Sequence, residues 1–183
     1  RTALLKVGLP LDLNTEVGAL ISPEHTEKVL AYKQSGIDEG AQLVAGGNRV
    51  AVNNGSGNFV APTIFANCTD DMKIVREEIF GPVAVLIPFT TDEQAIELAN
   101  DGDYGLSAGV ISSNVGRAMQ LGAQLKVGLL HINDQTVNDE TVNPFGGFGA
   151  SGNGTRIGGP ANADEFTQWQ WMTVQAQAPH YPF

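Results

Sequence analysis

Residues 76–83 read Arg-Glu-Glu-Ile-Phe-Gly-Pro-Val, which sets two carboxylates, Glu77 and Glu78, beside the ring of Phe80 and ahead of a turn. An apolar run, Val83-Ala84-Val85-Leu86-Ile87, follows. A strand that buries its body leaves the residues just before it at a rim. An acid and a ring at that rim are a way to build a binding site. The other candidates for chemistry are fewer. Cys68 is the only cysteine, so no internal disulfide can form. It reads either as a small apolar residue near a strand end or as a catalytic thiolate. A thiolate would need a base or a helix N-terminus nearby to lower its pKa, and Asp70 and Asp71 would raise it instead. His25, His131 and His180 are far apart and lack the spacing of a zinc site, so no metal is expected.

The formal net charge of −10 argues against nucleic acid, where a basic patch supplies affinity, and against anionic membrane surfaces. It suits a soluble cytoplasmic protein kept apart by self-repulsion. No apolar run approaches the roughly 20 residues that span a bilayer, and no signal peptide opens the chain. At 183 residues the chain is one domain, or one domain with an appendage.

These residues must be held by regular elements. Ser22-Pro23-Glu24 opens a helix, with Ser22 as cap and Pro23 in the first turn. Its apolar positions are Val29, Leu30, Ala31 and Ile37, and it ends by Gly40. Gln42-Leu43-Val44-Ala45 is a short strand, and residues 53–57 form a hairpin tip. Residues 59–65 read as a strand that Pro62 confines to an edge or a bulge. The run from Val83 to Phe89 suits a strand buried on both faces of a parallel sheet. Thr91 caps the next helix, with Gln94 closing a capping box. A strand over residues 106–111, a helix capped by Asn114 and a strand over residues 127–132 complete the series. Alternation of this kind means an α/β fold, a parallel sheet with helices on both faces. Ligands in such folds sit at the carboxyl ends of the strands, where Asn133 and the loop of residues 134–154 lie.

That loop carries Pro144-Phe145-Gly146-Gly147-Phe148 and several further glycines. Its length and its aromatics point to function rather than to a linker. No Gly-Lys-[Ser/Thr] follows, so it is no phosphate cradle. The last stretch, residues 166–175, alternates with bulky groups on both faces. It reads as a strand that joins a neighbouring subunit's sheet, or else folds onto its own domain.

Glu77-Glu78-Ile79-Phe80-Gly81-Pro82 resembles the signature of the NAD(P)-dependent aldehyde dehydrogenases. Residues 57–63, Tyr104-Gly105-Leu106-Ser107-Ala108, Gly128-Leu129-Leu130-His131-Ile132-Asn133 and Pro144-Phe145-Gly146-Gly147 are similar to family segments in the same order. The resemblance implies that Glu78 holds the hydroxyls of the nicotinamide ribose and that Phe80 packs by the nicotinamide ring of NAD or NADP. It implies that Asn133 and Phe145 line the aldehyde pocket. Residues 149–162 and the ending His180-Tyr181-Pro182-Phe183 are similar to the benzaldehyde and vanillin branch. Where many members carry an Arg-Glu pair tied to the hydrolytic water, this chain has Thr155-Arg156.

The family chemistry implied is attack of a cysteine thiolate on the aldehyde, hydride transfer, and hydrolysis of the thioester. The nucleophile, the general-base glutamate, the oxyanion asparagine and the dinucleotide-binding domain are expected outside this chain, upstream. The chain then reads as the C-terminal part of an incomplete three-layer αβα catalytic domain over residues 1–164. An oligomerisation strand over 165–178 and a tail over 179–183 follow. No catalytic residue is expected within it, it should be inactive alone, and a homo-oligomer, dimer or tetramer, is the expected assembly. Two other readings stay open: a non-catalytic strand-pairing module, and an aldehyde dehydrogenase that acylates coenzyme A.

Overall fold

Ser22 starts the first long helix as its hydroxyl predicts. In the computed structural model, which describes residues 1–180 except Asn53 and Ser56, its Oγ accepts from the His25 N–H at 3.1 Å, with Pro23 in the first turn of α1 (Pro23–Asp38). The helix closes with paired bonds, from the Gly40 N–H to the Ile37 carbonyl at 3.1 Å and from the Ala41 N–H to the Gly36 carbonyl at 2.8 Å. This is the double closure that satisfies the last carbonyls of a helix. The expected hairpin tip over 53–57 lies partly outside the described residues.

The chain divides into two compact units, Arg1–Gly102 and Asp103–Phe183. In the first, β1 (Gln42–Ala45), β2 (Thr63–Ala66) and β3 (Val83–Val85) form one sheet in the order β1-β2-β3. β1 runs antiparallel to β2 with an irregularity between Leu43 and Ala45, and β2 runs parallel to β3. The sheet is therefore mixed, not wholly parallel. Of the two expectations for this strand, an edge or a bulge at Pro62, the edge is not met, since β2 is the central strand, and the irregularity in its pairing lies on β1. Pro62 stands one residue before its first paired position, so no ladder donor is lost.

The expected doubly buried run from Val83 to Phe89 shortens to three residues, and Leu86 and Phe89 are exposed. β3 is an outer strand of its sheet, with one strand partner. The core gathers Val29, Tyr32, Val60, Phe65, Cys68, Met72, Ile74 and Ile79, with Phe65 at 0% exposure. Of the apolar positions expected to face inward on α1, Val29 is buried and Leu30 packs against the core, but the rest of the inward face is not aliphatic. Thr26, Val29, Tyr32 and Gly36 are buried, while Ala31 and Ile37 are exposed. Those four fall at helical spacing, but three of them do not read as apolar. Helix α2 (Lys73–Arg76) packs on α1 and has no side-chain cap of its own. Glu39, the residue that ends α1, accepts from the Lys73 N–H at 2.7 Å instead.

Helix α3 (Asp92–Asn100) is capped by Thr91, whose hydroxyl accepts from the Gln94 N–H at 3.2 Å. The Gln94 amide reaches back one residue further than a standard box, to the Thr90 N–H at 2.8 Å.

In the second unit β4 (Tyr104–Gly105) pairs antiparallel with β7 (Phe148–Gly149), and β5 (Ser107–Val110) pairs parallel with β6 (Leu129–Ile132). Between the parallel strands runs α4 (Val115–Gly122), capped by Asn114 through the Arg117 N–H at 3.0 Å. It packs on β5 and β6 through the buried Ala118, while Met119 is exposed. α5 (Ala161–Phe166) is a helix where the alternation predicted the start of a strand. Residues 167–178 adopt no strand, because no other described segment pairs with them. The mixed α/β character is as expected. No helix among the described residues is long and apolar enough to cross a membrane.

Candidate functional site

The segment between α2 and β3 is held at three points by α1. At its start, the Tyr32 hydroxyl donates to Glu77 Oε2 at 2.7 Å. The Tyr32 ring lies near the ammonium groups of Lys28 and Lys73, 5.7 and 5.3 Å from its centroid, so the phenol sits in a positive setting that suits a carboxylate partner. At its centre, His25 Nε2 lies 2.6 Å from the Phe80 carbonyl oxygen. That oxygen can only accept, so Nε2 carries the proton. At its end, a Cβ on Gly81 would lie 2.8 Å from Val29 Cγ2, inside contact distance, so the chain passes α1 closely only as glycine. Ile79 is buried between these contacts.

Two side chains escape this clamp. Glu78 is exposed, and among the described residues no hydrogen bond or ion pair holds its carboxylate. Phe80 is 72% exposed. Its backbone lies at φ 53°, in the left-handed region, whereas the other non-glycine residues found there are asparagines: Asn54, Asn67 and Asn133. Asparagine tolerates that region and phenylalanine does not. The segment is strained between its three contacts with α1, of which the His25 bond is made at Phe80 itself, and strain of this kind gathers at ligand sites. Along the segment only Ile79 is buried; Glu77, Glu78 and Phe80 are exposed, and of the two acids Glu77 is tied to Tyr32 while Glu78 is not. Arg76 anchors the preceding helix by donating to the Asp101 carbonyl at 2.9 Å and pairing with the Asp70 and Asp101 carboxylates.

In the second unit Asn133 follows β6, also at positive φ, 57°. Its Oδ1 accepts from the Ser112 N–H at 2.8 Å and its Nδ2 donates to the Ser112 carbonyl at 2.9 Å. The amide thus continues the ladder beyond the end of β5, and both of its ends are engaged. Phe145 is tied by a pair of backbone bonds to Ile157, at 2.7 and 2.9 Å, and lines a cavity with Leu129, His131, Asp139 and Asn143. Asn133 does not line that cavity. The glycine-rich loop is pressed against the start of β6. A Cβ on Gly128 would come within 1.6 Å of the Gly146 carbonyl oxygen, so only glycine fits there. Arg156 braces the same loop, with its guanidinium 5.0 Å from the Phe148 ring centroid and Nη1 donating to the Thr155 carbonyl at 2.9 Å.

Cys68 is buried at 3% exposure, and that burial pushes its thiol pKa up. Neither property suits a nucleophile. Among the described residues no cluster of His, Cys, Asp and Glu is placed to hold a metal ion.

Sequence reasoning singled out Glu78, Phe80, Asn133 and Phe145 but missed His25, Tyr32 and Glu39. Ser22, His25, Val29 and Tyr32 share one helix face by their spacing, a signal that was present. Nothing in the sequence says that this face meets a turn 45 to 55 residues later.

The Glu-Glu-Ile-Phe-Gly-Pro turn carries the resemblance to the aldehyde dehydrogenases, and the comparisons bear that resemblance out. The sequence model described as the aldehyde dehydrogenase family matches residues 1–172, and the chain belongs to that family. Among relatives, it is 37% identical to vanillin dehydrogenase of Amycolatopsis sp. over 98% of this chain and 36% of the relative. It is 38% identical to the NAD(+)-dependent benzaldehyde dehydrogenase of Pseudomonas putida over 100% of this chain and 36% of the relative. Among solved structures, HpcC from Thermus thermophilus superposes with a TM-score of 0.88 at 41% identity, covering 100% of this chain and 36% of that one. The Mycobacterium tuberculosis aldehyde dehydrogenase complexed with NAD+ gives 0.86 at 40% identity, covering 91% and 34%. The chain therefore spans about a third of the length of these proteins.

Proposed function

We propose that the protein carrying this chain oxidises an aromatic aldehyde to its carboxylic acid with NAD(P)+, and that this chain supplies the nicotinamide-ribose half-site. The observation that carries the reading is the turn itself. It offers an exposed carboxylate without a protein partner among the described residues and an outward aromatic ring two residues on. That pair fits a ribose with two vicinal hydroxyls and a planar ring beside it. Glu78 accepts the two hydroxyls, and Phe80 presents its face to the nicotinamide. The cofactor, when bound, accepts the hydride of the aldehyde. The residues of this chain position it and do not themselves break bonds.

Phe145 gives the aldehyde pocket an aromatic wall, in keeping with the benzaldehyde and vanillin enzymes among the relatives. Asn133 acts in the same region by fixing the path of the loop that follows β6. The nucleophilic cysteine belongs to the part of the protein outside this chain, because Cys68 is buried with a raised pKa. In the complete protein the short sheets extend into a three-layer αβα domain. Residues 165–178, which expose Phe166, Trp169, Trp171, Met172 and Val174, pair with a second copy in a homo-oligomer.

The test is NADH formation by the complete recombinant enzyme with benzaldehyde, vanillin and acetaldehyde as substrates. The reading expects the aromatic aldehydes to be preferred and the isolated chain to be inactive. Turnover by the isolated chain, or preference for acetaldehyde, would overturn it.

A further inference from the structure

We propose that His25 is a positioning residue for the nicotinamide-ribose half-site. By donating from Nε2 to the Phe80 carbonyl at 2.6 Å, it holds the left-handed backbone at Phe80 and so sets the directions of Glu78 and Phe80. The inference rests on the reading of that turn as a half-site.

The conformation itself demands a restraint. A phenylalanine at φ 53° relaxes toward negative φ unless something holds it. Relaxation would rotate the peptides on both sides of Cα, swinging the ring inward and moving the Glu78 carboxylate with it. The neighbouring contacts hold the flanks of the segment rather than the Phe80 peptide itself. The Tyr32 bond fixes Glu77, three residues before Phe80, and beyond Phe80 the Gly81 carbonyl accepts from the Val83 N–H at 2.7 Å while Gly81 packs on Val29; neither contact binds the Phe80 carbonyl. The Phe80 carbonyl is the group that would turn most, and His25 is the group that binds it.

His25 is itself held firmly. It lies in the first turn of α1, and its own N–H is committed to the Ser22 cap. The residue is half-buried, so its donor is presented from a fixed frame. The chain thus uses a helix start to pre-set a ligand-binding turn 55 residues later. Ligand affinity then does not bear the cost of ordering that turn.

The test uses the complete enzyme and three variants. His25→Met removes the donor and keeps the bulk, His25→Gln restores a donor at the Nε2 position, and Glu78→Gln tests the half-site directly. NAD+ dissociation constants are measured by fluorescence titration without aldehyde, and hydrogen exchange is followed over residues 77–83 in the absence of cofactor. The expected result is an NAD+ Kd raised roughly 3- to 10-fold in His25→Met, the effect of losing one hydrogen bond. Faster exchange over 77–83 should accompany it, with both restored to within about twofold in His25→Gln. If His25→Met does not fold, His25→Asn, whose amide is one bond too short to reach, replaces it with the same expectation. A folded His25→Met with unchanged NAD+ affinity, beside a Glu78→Gln that binds NAD+ weakly, would overturn the role of His25 and leave the half-site standing. An unchanged Kd in Glu78→Gln would overturn the half-site and the proposal with it. Failure of His25→Gln to rescue would assign His25 to helix packing alone.

Discussion

Glu77 and Glu78 are adjacent acids with opposite tasks. Glu77 is bonded to Tyr32 at 2.7 Å and closes the start of the turn, whereas Glu78 keeps both oxygens available to a ligand. The sequence singled out the acid pair and the ring; both acids are exposed, and which of them stays free is decided by the Tyr32 hydroxyl, which engages Glu77 alone. The same contrast separates Asn133, whose amide is spent on the Ser112 backbone, from Phe145, which lines a cavity. Phe145→Ala should therefore raise KM for benzaldehyde by roughly tenfold while changing that for acetaldehyde little, since removing an aromatic wall loses about 1–2 kcal/mol of contact. Equal effects on the two aldehydes would remove Phe145 from the specificity pocket. Cys68 gives the complementary prediction. Cys68→Ser places an unsupported hydroxyl in the core and should cost about 1–3 kcal/mol of stability by denaturant titration. Aldehyde turnover at low temperature should stay within about twofold of wild type in that variant. Abolished turnover in a folded Cys68→Ser would show that the nucleophile had been sought in the wrong place.

At the scale of elements, caps and breaks were legible, and faces were not. Ser22, Thr91 and Asn114 each cap the helix that follows, because a short side chain with an acceptor satisfies a free N–H regardless of what the helix packs on. The inward face of α1 was legible only at Val29 and Leu30, because Thr26, Tyr32 and Gly36 are buried for the partners they meet and not for their hydropathy. Pro62 does not mark an edge strand, because a proline one residue before the first pairing leaves the ladder intact. Close approach is a property of elements too. Gly128→Ala should destabilise the second unit by at least about 1–3 kcal/mol, since the intruding methyl meets a backbone carbonyl with no rotamer to yield. A variant as stable as wild type in thermal unfolding would mean that the loop of residues 144–154 sits elsewhere.

The N-terminal loop makes a pH-dependent prediction. Asp12 bonds to the Lys6 ammonium at 2.8 Å and to Asn14, which lowers its pKa from 3.8 to about 2. A carboxylate whose folded pKa lies below its unfolded value stabilises the loop above about pH 4 and loses that contribution as pH falls toward about 2. Carboxyl chemical shifts should titrate near the lower value, and return toward the ordinary one in Lys6→Met. An unchanged midpoint in that variant would remove the ion pair as the cause.

For the whole molecule, composition excluded much and specified little. The alternation of helices and strands pointed to the α/β class but not to the mixed strand order, which depends on pairing between distant segments. The last stretch, read as a strand from its alternation, has no partner among the described residues and adopts no strand. Alternation makes a segment competent to pair, and a partner makes it a strand. Removing residues 167–180 from the complete enzyme should therefore lower its oligomeric state in sedimentation. An unchanged state would exclude strand exchange through this segment.

The central claim is that Glu78 and Phe80 position a nicotinamide cofactor for hydride transfer. The most direct measurement is the primary deuterium isotope effect on turnover of benzaldehyde deuterated at the formyl carbon, compared between the wild-type complete enzyme and Glu78→Gln. Loss of a charge-assisted contact that orients the hydride acceptor should slow that step by roughly ten- to a hundredfold and bring out or enlarge the isotope effect. A Glu78→Gln enzyme that is slowed to the same degree but shows no isotope effect would place the defect in another step and contradict the account.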